Sequence, residues 1–171
     1  DNIKVSHKLK PDDLTQLLVN AAEQGIKLAL QSGELGYPVM NVQAIITAAK
    51  MDEQLSTEVA FQSAGADAVQ KALKDNMILL EPVMKLEVTL PEEYLGPITA
   101  DLNARRAEIR ELHIRGKMRV VEAIVPMAKL FDYADKVRSL SQGRASSTME
   151  PYSYSPAPNE VLKNMLNPFA F

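Results

Sequence analysis

Residues 120–144 constrain the fold more than any other stretch, because they resemble a strand, a helix and the start of another strand. The apolar run at 120–125 is closed by Pro126, which lacks the N–H that a β-ladder needs. Apolar residues then recur at the three- and four-residue spacing of one buried helical stripe; they are Met127, Leu130, Phe131, Ala134, Val137 and Leu140. Gly143 suits the left-handed conformation that commonly follows a helix. The pattern predicts an amphipathic helix packed on a sheet.

The residues on either side of this helix supply the rest of a split βαβ unit. Strict alternation of apolar and polar residues at 84–90 predicts a half-buried strand. A helix is predicted at 95–102, and two strands at 108–115 and 118–125 are joined by a tight turn. With a last strand at 144–150, the order is β-α-β-β-α-β, the ferredoxin-like arrangement.

The first half of the chain has a different order, β-α-β-α. A strand at 2–9 precedes a helix whose first position suits Pro11, with the two aspartates that follow it in the first turn. A second strand is predicted at 39–46, and Ser56 is a reasonable N-cap for a second helix. The fold class is therefore α+β.

Composition and charge restrict the function. The sequence has no cysteine, which excludes disulfides and cysteine-based zinc sites. Its net charge is −3, which argues against binding nucleic acid by bulk charge. The basic residues are nevertheless unevenly distributed, since all the arginines lie within residues 105–144. Arginine suits bidentate contact with phosphate, although a solvated charged surface also explains such a cluster.

Several short segments resemble one protein family, both in their residues and in the order in which they occur. They are Gly36-Tyr37-Pro38-Val39, Glu81-Pro82, Glu93-Tyr94-Leu95, Phe131-Asp132-Tyr133-Ala134 and Gln142-Gly143-Arg144. Together they resemble the last two domains of elongation factor G, the translational GTPase that moves tRNA and mRNA through the ribosome. The resemblance covers roughly residues 12 to 165.

The resemblance implies a domain organisation. Residues 1–79 would be a partial fourth domain, related to the second domain of ribosomal protein S5, without its first strands and its glycine-rich tip loop. Residues 80–153 would be the ferredoxin-like fifth domain. Residues 154–171 would be a proline- and serine-rich linker and a helix that packs back on the first domain. The chain begins with Asp1 rather than Met, so we expect a C-terminal piece of a longer protein.

The resemblance also implies two ribosome-contacting surfaces. In the family, the outer loop of the first half, here 47–54, reaches toward the tRNA–mRNA duplex in the decoding site. Its candidate residues are Lys50, Asp52 and Glu53, and Asp52 stands where the family often has histidine. A carboxylate near RNA phosphates is unfavourable unless a metal ion or a protein intervenes. This departure favours a paralogue of altered role, such as the ribosome-splitting relatives of elongation factor G.

The second implied surface lies on the fifth domain. The family uses it against large-subunit rRNA and the protein at the base of the ribosomal stalk. The residues that match family positions are Arg105, Arg106, Arg138, Gln142 and Arg144. Gln142 and Gly143 could instead serve only to shape the turn.

No catalytic or metal-binding group is predicted in this chain. The Gly-x-x-x-x-Gly-Lys-Ser/Thr phosphate loop is absent from the sequence, so GTP and Mg²⁺ would belong to the missing N-terminal domain. His113 lies on a predicted strand and is expected to face solvent. We therefore expect no enzyme activity and no small-molecule substrate for this chain, no membrane partner, and a cytoplasmic location.

Three other functions stay open. A ribosome-recycling paralogue would share all of these features. A ribosomal protection protein would resemble this sequence at residues 81–82 and 93–95, but its sequence matches residues 131–134 poorly. A protein of another class, a ferredoxin-like sensor domain that binds a small ligand between subunits, would share the fold alone.

Overall fold

The computed structural model describes residues 3–166, and its internal contacts separate residues 1–77 from residues 78–171. The predicted boundary lies two residues later, at 79. Within residues 3–166 no helix has both the length and the apolar character needed to cross a membrane. The predicted docking of the C-terminal helix on the first domain stays a prediction, and Phe169 and Phe171 lie outside the described residues.

The first unit has the predicted order β-α-β-α. Its elements are β1 (Ile3–His7), α1 (Gln16–Ser32), β2 (Val42–Ile46) and α2 (Glu58–Leu73). The two strands form a parallel sheet in which Ile3 pairs with Val42 and His7 with Ile46. Helix α1 buries an apolar stripe against the sheet and α2, because its inward residues recur every three or four positions; they include Leu18, Ala22, Ile26 and Leu30.

The two helices of this unit approach each other closely at two glycines. A Cβ placed on Gly25 would lie 1.9 Å from the carbonyl oxygen of Gln62, and one on Gly65 would lie 2.4 Å from that of Ala22. Both distances are too short for any side chain. The helices therefore pack backbone against backbone, and this packing requires glycine at both positions.

Three details of the first unit differ from the prediction. Helix α1 begins at Gln16 rather than near Pro11, so Asp12 and Asp13 lie before it, and Asp13 Oδ2 accepts a hydrogen bond from the Lys10 N–H at 2.8 Å. The N-cap of α2 is Thr57, whose Oγ1 accepts from the Ala60 N–H at 3.2 Å, and not Ser56. The second strand begins at Val42 instead of residue 39.

The second unit is the predicted ferredoxin-like sheet. Strands β3 (Leu80–Pro91), β4 (Glu108–Arg115), β5 (Met118–Pro126) and β6 (Ser146–Pro156) pair antiparallel in the order β4-β5-β3-β6. Helices α3 (Leu95–Ala104) and α4 (Tyr133–Leu140) follow β3 and β5. A short helix α5 (Asn159–Leu166) comes last among the described residues.

One face of this sheet and the two helices enclose the core. The alternating residues Leu86, Val88 and Leu90 of β3 are 0% exposed, as their period-2 pattern predicts. From α3, Ile98 and Leu102 pack against them. The close burial of every member of this cluster means that the sheet face and the helices match in shape.

The phase of the helical stripe after Pro126 differs from the prediction. A 3-10 turn at Met127–Lys129 precedes α4, and the buried residues are Leu130, Tyr133 and Val137. Phe131 is 83% exposed and Met127 is 40% exposed, and Ala134 is exposed as well. The tighter 3-10 turn shifts the inward direction, so a stripe counted at uniform α-helical spacing points the wrong residues inward.

The last strand also extends further than predicted. Strand β6 starts at Ser146 and continues to Pro156, through residues assigned to a linker, because the first residues of β3 supply pairing partners. The register shifts between Val83, which pairs with Ser153, and Met84, which pairs with Pro151, so Tyr152 is the extra residue. A bulge on an edge strand tolerates proline, which cannot donate to the ladder.

Candidate functional site

The first candidate surface is the loop between β2 and α2. Lys50, Asp52 and Glu53 are all exposed on it. Asp52 organises this loop: its Oδ1 accepts from the N–H groups of Gln54 at 2.9 Å and Leu55 at 3.0 Å. The Asp52 N–H in turn donates to Ser56 Oγ at 2.8 Å. The Asp52 carboxylate therefore has a local structural role. The four-residue spacing of Asp52 and Ser56 is the sequence signal for it, because Asp and Ser side chains commonly bind nearby backbone groups in turns.

Arg105, a candidate of the second surface, lies inside the second unit. Its side chain is 12% exposed. Its Nε donates to Asp101 Oδ2 at 2.7 Å and its Nη1 to Asp132 Oδ1 at 2.7 Å, with a further hydrogen bond to the Lys129 carbonyl. The guanidinium also lies 5.1 Å from the centroid of the Tyr133 ring. Arg105 therefore connects the end of α3 to the turn before α4.

These contacts change the protonation behaviour of the cluster. The hydrogen bond from Arg105 holds the pKa of Asp132 below its usual range, and that from Asp132 raises the pKa of Arg105. Burial raises the pKa of Tyr133 to about 12, because the phenolate would lose hydration. The Tyr133 hydroxyl is buried without a hydrogen-bond partner among the described residues. The Arg105–Asp132 pair therefore stays charged at neutral pH.

Arg106 makes a two-pronged ion pair. Its Nη1 and Nη2 donate to Glu81 Oε1 and Oε2 at 2.7 and 3.0 Å. Glu81 is 12% exposed in its side chain, and this pair raises the pKa of Arg106. Paired bonds of this kind fix both side chains, so Arg106 joins the end of α3 to the start of β3.

Arg138, Gln142 and Arg144 lie at the C-terminal end of α4 with exposed side chains. Arg138 is 73% exposed and its pair with Asp135 is long, at 3.7 Å. Arg144 is 57% exposed, pairs with Glu93 and lies 5.6 Å from the Tyr94 ring centroid. Gln142 and Gly143 have φ of 52° and 78°, so the left-handed turn predicted at the glycine begins one residue earlier.

Carboxylates pair with all of the arginines, which the sequence did not predict. The remaining pairs are Arg110 with Glu108, Arg115 with Glu87 and Arg119 with Glu92. Most of these partners are distant in sequence, so no local spacing could have revealed them. The seven arginines of the chain therefore differ in exposure. The side chains of Arg105, Arg119 and Arg106 are 12%, 22% and 32% exposed, whereas those of Arg110, Arg144, Arg115 and Arg138 are 54%, 57%, 60% and 73% exposed.

Strands β4 and β5 bring together a second group of polar side chains. Donor atoms of Glu111, His113 and Glu122 lie within 4.8 Å of one another. Glu111 is directly opposite Glu122 in the ladder, and Lys85 offsets part of this repulsion at 3.4 Å from Glu122. The expectation that the chain holds no metal stays a prediction.

Two family models match the chain end to end along its described length. The model described as Elongation factor G, domain IV matches residues 4–76, and the model described as Elongation factor G C-terminus matches residues 78–165. The boundary between them coincides with the division between the two units.

Curated relatives extend this similarity. The chain is 47% identical over 150 residues to elongation factor G of Fervidobacterium nodosum, covering 86% of this chain and 22% of that protein. It is equally similar to elongation factor G of Pseudothermotoga lettingae, with the same coverage. Elongation factor G of Thermotoga maritima is 45% identical over 148 residues, with 85% and 21% covered. The chain thus spans about a fifth of the length of these relatives.

A solved structure has the same fold. A crystal structure of a Thermus thermophilus protein superposes with a TM-score of 0.80 at 30% sequence identity, covering 97% of this chain and 26% of that one. The similarity includes both units in one chain.

Proposed function

The chain belongs to the elongation factor G family, as its domain IV and C-terminal parts, and we propose that it supplies the ribosome-contacting surfaces of a GTPase that translocates tRNA and mRNA. GTP and Mg²⁺ would bind to another part of the intact protein, since these two regions contain no phosphate-binding loop motif in their sequence. The intact protein would act in the cytoplasm on translating ribosomes.

On the second unit, the contact residues are Arg138, Gln142 and Arg144. Exposure supports this assignment. The guanidinium groups of Arg138 and Arg144 are accessible, and the carboxylates in their solvent-exposed ion pairs can be replaced by RNA phosphates. They lie together on the end of α4 and the turn that follows. We propose that this end of the domain contacts large-subunit rRNA and the stalk-base protein.

Arg105 and Arg106 have a different role in this proposal. Their donors are used by Asp101, Asp132 and Glu81, and breaking such partly buried pairs costs more than a phosphate contact returns. We assign them to positioning α3 and the turn before α4, which carries the exposed surface.

The loop between β2 and α2 is the proposed contact with the tRNA–mRNA duplex at the decoding site. Lys50 supplies its cation, and Glu53 is exposed beside it. Asp52 would act through the loop shape, because two backbone N–H groups already bind its Oδ1. A ribosome-recycling paralogue remains the second candidate, since a carboxylate at this place is unfavourable beside a phosphate backbone.

The salt dependence of ribosome binding tests this proposal. We expect Arg138→Ala and Arg144→Ala each to weaken binding of the chain to large ribosomal subunits and to reduce the slope of log K against log salt by about 1. Arg110→Ala is the matched control, because Arg110 is exposed and paired but lies on β4. Unchanged slopes for both variants would remove them from the contact surface.

A further inference from the structure

The two edges of the four-stranded sheet differ in how they are protected. Edge strand β6 contains Pro151 and Pro156, and a bulge at Tyr152 interrupts its ladder. Prolines and bulges on an edge strand prevent a further strand from pairing with it. Strand β4 forms the other edge, and its residues 111–115 have neither a proline nor a bulge. The outer side of this stretch therefore presents a regular row of backbone groups, to which no strand among residues 3–166 is hydrogen-bonded.

Apolar side chains are exposed along the same edge. Leu112 lies opposite Val121 of β5, which belongs to the core, so Leu112 and Ile114 lie on the helix-covered face of the sheet. Leu112 is nevertheless 54% exposed and Ile114 is 66% exposed, so the helices leave both uncovered. A further strand at this edge would bring its own side chains beside them and remove their apolar surface from water.

The other face of β4 carries an unbalanced carboxylate. Glu111 lies directly opposite Glu122, and like charges in this position are destabilising. Lys85 lies 3.4 Å from Glu122, but no lysine or arginine among residues 3–166 forms an ion pair with Glu111. On the same face, Arg115 is 60% exposed in its pair with Glu87, and an exposed ion pair can be exchanged at little cost. The edge therefore has a carboxylate that lacks a cation and an arginine that can supply one.

We propose that β4 pairs antiparallel with β4 of a second copy of this chain, about a twofold axis that places His113 opposite its own copy. In this register Glu111 of each copy lies opposite Arg115 of the other. On the opposite face Leu112 of each copy lies opposite Ile114 of the other. Two ion pairs and two apolar pairs form, and the two four-stranded sheets become one. This interface is separate from the proposed contacts with the ribosome.

The other registers of residues 111–115 are less favourable. A twofold axis normal to the sheet keeps the faces of antiparallel strands, so it must place one residue of β4 opposite itself. An axis at Glu111 or Arg115 places like charges opposite each other. An axis at Leu112 extends the ladder into the bulge, and one at Ile114 places His113 opposite Arg115. Residues 111–115 are thus complementary to themselves in one register, which identifies the occupant of this edge as a second copy rather than an unrelated strand.

Sedimentation equilibrium of the 171-residue chain over a range of concentrations tests this proposal. A ladder this short buries less area than a standard interface, so we expect a dissociation constant on the order of 100 μM. Glu111→Arg and Arg115→Glu should each weaken the dimer about tenfold or more, since each replaces both ion pairs by like-charge pairs. The variant with both substitutions should recover the affinity, because its ion pairs form with the charges exchanged. Arg110→Glu is the matched control, because it reverses a charge on β4 outside residues 111–115.

Every outcome supports or overturns the proposal. A chain that stays monomeric up to about 1 mM overturns it. A dimer that neither single variant weakens uses another surface, and a double variant as weak as the single variants excludes this register; both results overturn it. Ile114→Thr should weaken the dimer several-fold, because it removes two apolar pairs but keeps a β-branched side chain. Thermal unfolding at low concentration should be the same for all variants, since these side chains are exposed in one copy.

Discussion

The two units of this chain are both built from strands and helices, but they bury their apolar core residues to different extents. The second unit encloses its core between a four-stranded sheet and two helices, and Leu86, Val88 and Leu90 are fully buried. The first unit has a two-stranded sheet, and most of its core residues keep several per cent of their surface exposed, as at Ile26 and Val69. The difference shows that strand number limits how much apolar surface can be covered.

Helix α2 shows the consequence for the first unit. Its alanines at positions 64, 68 and 72 recur at helical spacing, yet they are exposed and line an open apolar groove of about 650 Å³ beside β2. Only Gly65 and Val69 of this helix are buried. Small residues leave little apolar area to bury, so contact between α1 and α2 contributes much of the stability of this unit.

The largest expected effect therefore comes from the close approach of α1 and α2. We predict that Gly65→Ala destabilises the first unit by about 2–3 kcal/mol, because its Cβ would overlap the Ala22 carbonyl. Gly96→Ala in α3 is the control, since a Cβ there meets nothing within 4 Å. Hydrogen exchange resolved by segment measures both. Equal protection of residues 16–73 in the two variants would contradict the packing described here.

An intermediate effect is expected in the second unit. Arg105→Ala should destabilise it by about 2 kcal/mol, because Asp101, whose side chain is only 14% exposed, would lose its ion pair. Arg105→Lys should recover part of this loss, since one ammonium cannot reproduce the three hydrogen-bond directions. Arg110→Ala is the matched control on an exposed pair. Urea unfolding followed by tyrosine fluorescence measures these changes, and equal midpoints for the two alanine variants would contradict this role of Arg105.

The features of the fold that could be predicted from the sequence are those that depend on residues close together in the chain. The alternation at 84–90 and the hairpin at 115–118 are local signals, and both were confirmed. The predicted phase of α4 was wrong because a 3-10 turn follows Pro126, and a stripe counted at a uniform 3.6-residue period does not include such a turn. Ser141 at the end of α4 is buried, although it is polar. That hydroxyl donates to the Val137 carbonyl at 2.7 Å and accepts from the Ala145 N–H at 3.0 Å.

The candidate site was less predictable than the fold for the same reason. Arg105 and Asp132 are 27 residues apart, and Arg144 and Glu93 are 51 apart. Side-chain pairing over such distances leaves no periodic trace in the sequence. The sequence could therefore identify which arginines match the family, but the structure was needed to divide them into inward and exposed groups.

The smallest expected effect is a dependence of stability on acid. Because Arg105 lowers the folded-state pKa of Asp132, this carboxylate stabilises the second unit above its unfolded pKa of about 3.9, and the contribution is lost as pH falls through the folded value. We predict that Asp132→Asn lowers the neutral-pH stability but approaches the unaltered chain in acid. Asp135→Asn removes a carboxylate that is 92% exposed at the same helix end, and so serves as the control for the loss of one charge there. Parallel curves for Asp132→Asn and the unaltered chain between pH 7 and pH 2 would contradict this.

Hydrogen exchange of the chain with and without large ribosomal subunits tests most directly that α4 and its flanking turns are the RNA-facing surface of the second unit. The predicted result is added protection at residues 129–144, with little change on β4, whose arginines lie on the opposite edge from β6. Added protection confined to β4 and β5, or none in the second unit while the chain is bound, would contradict it.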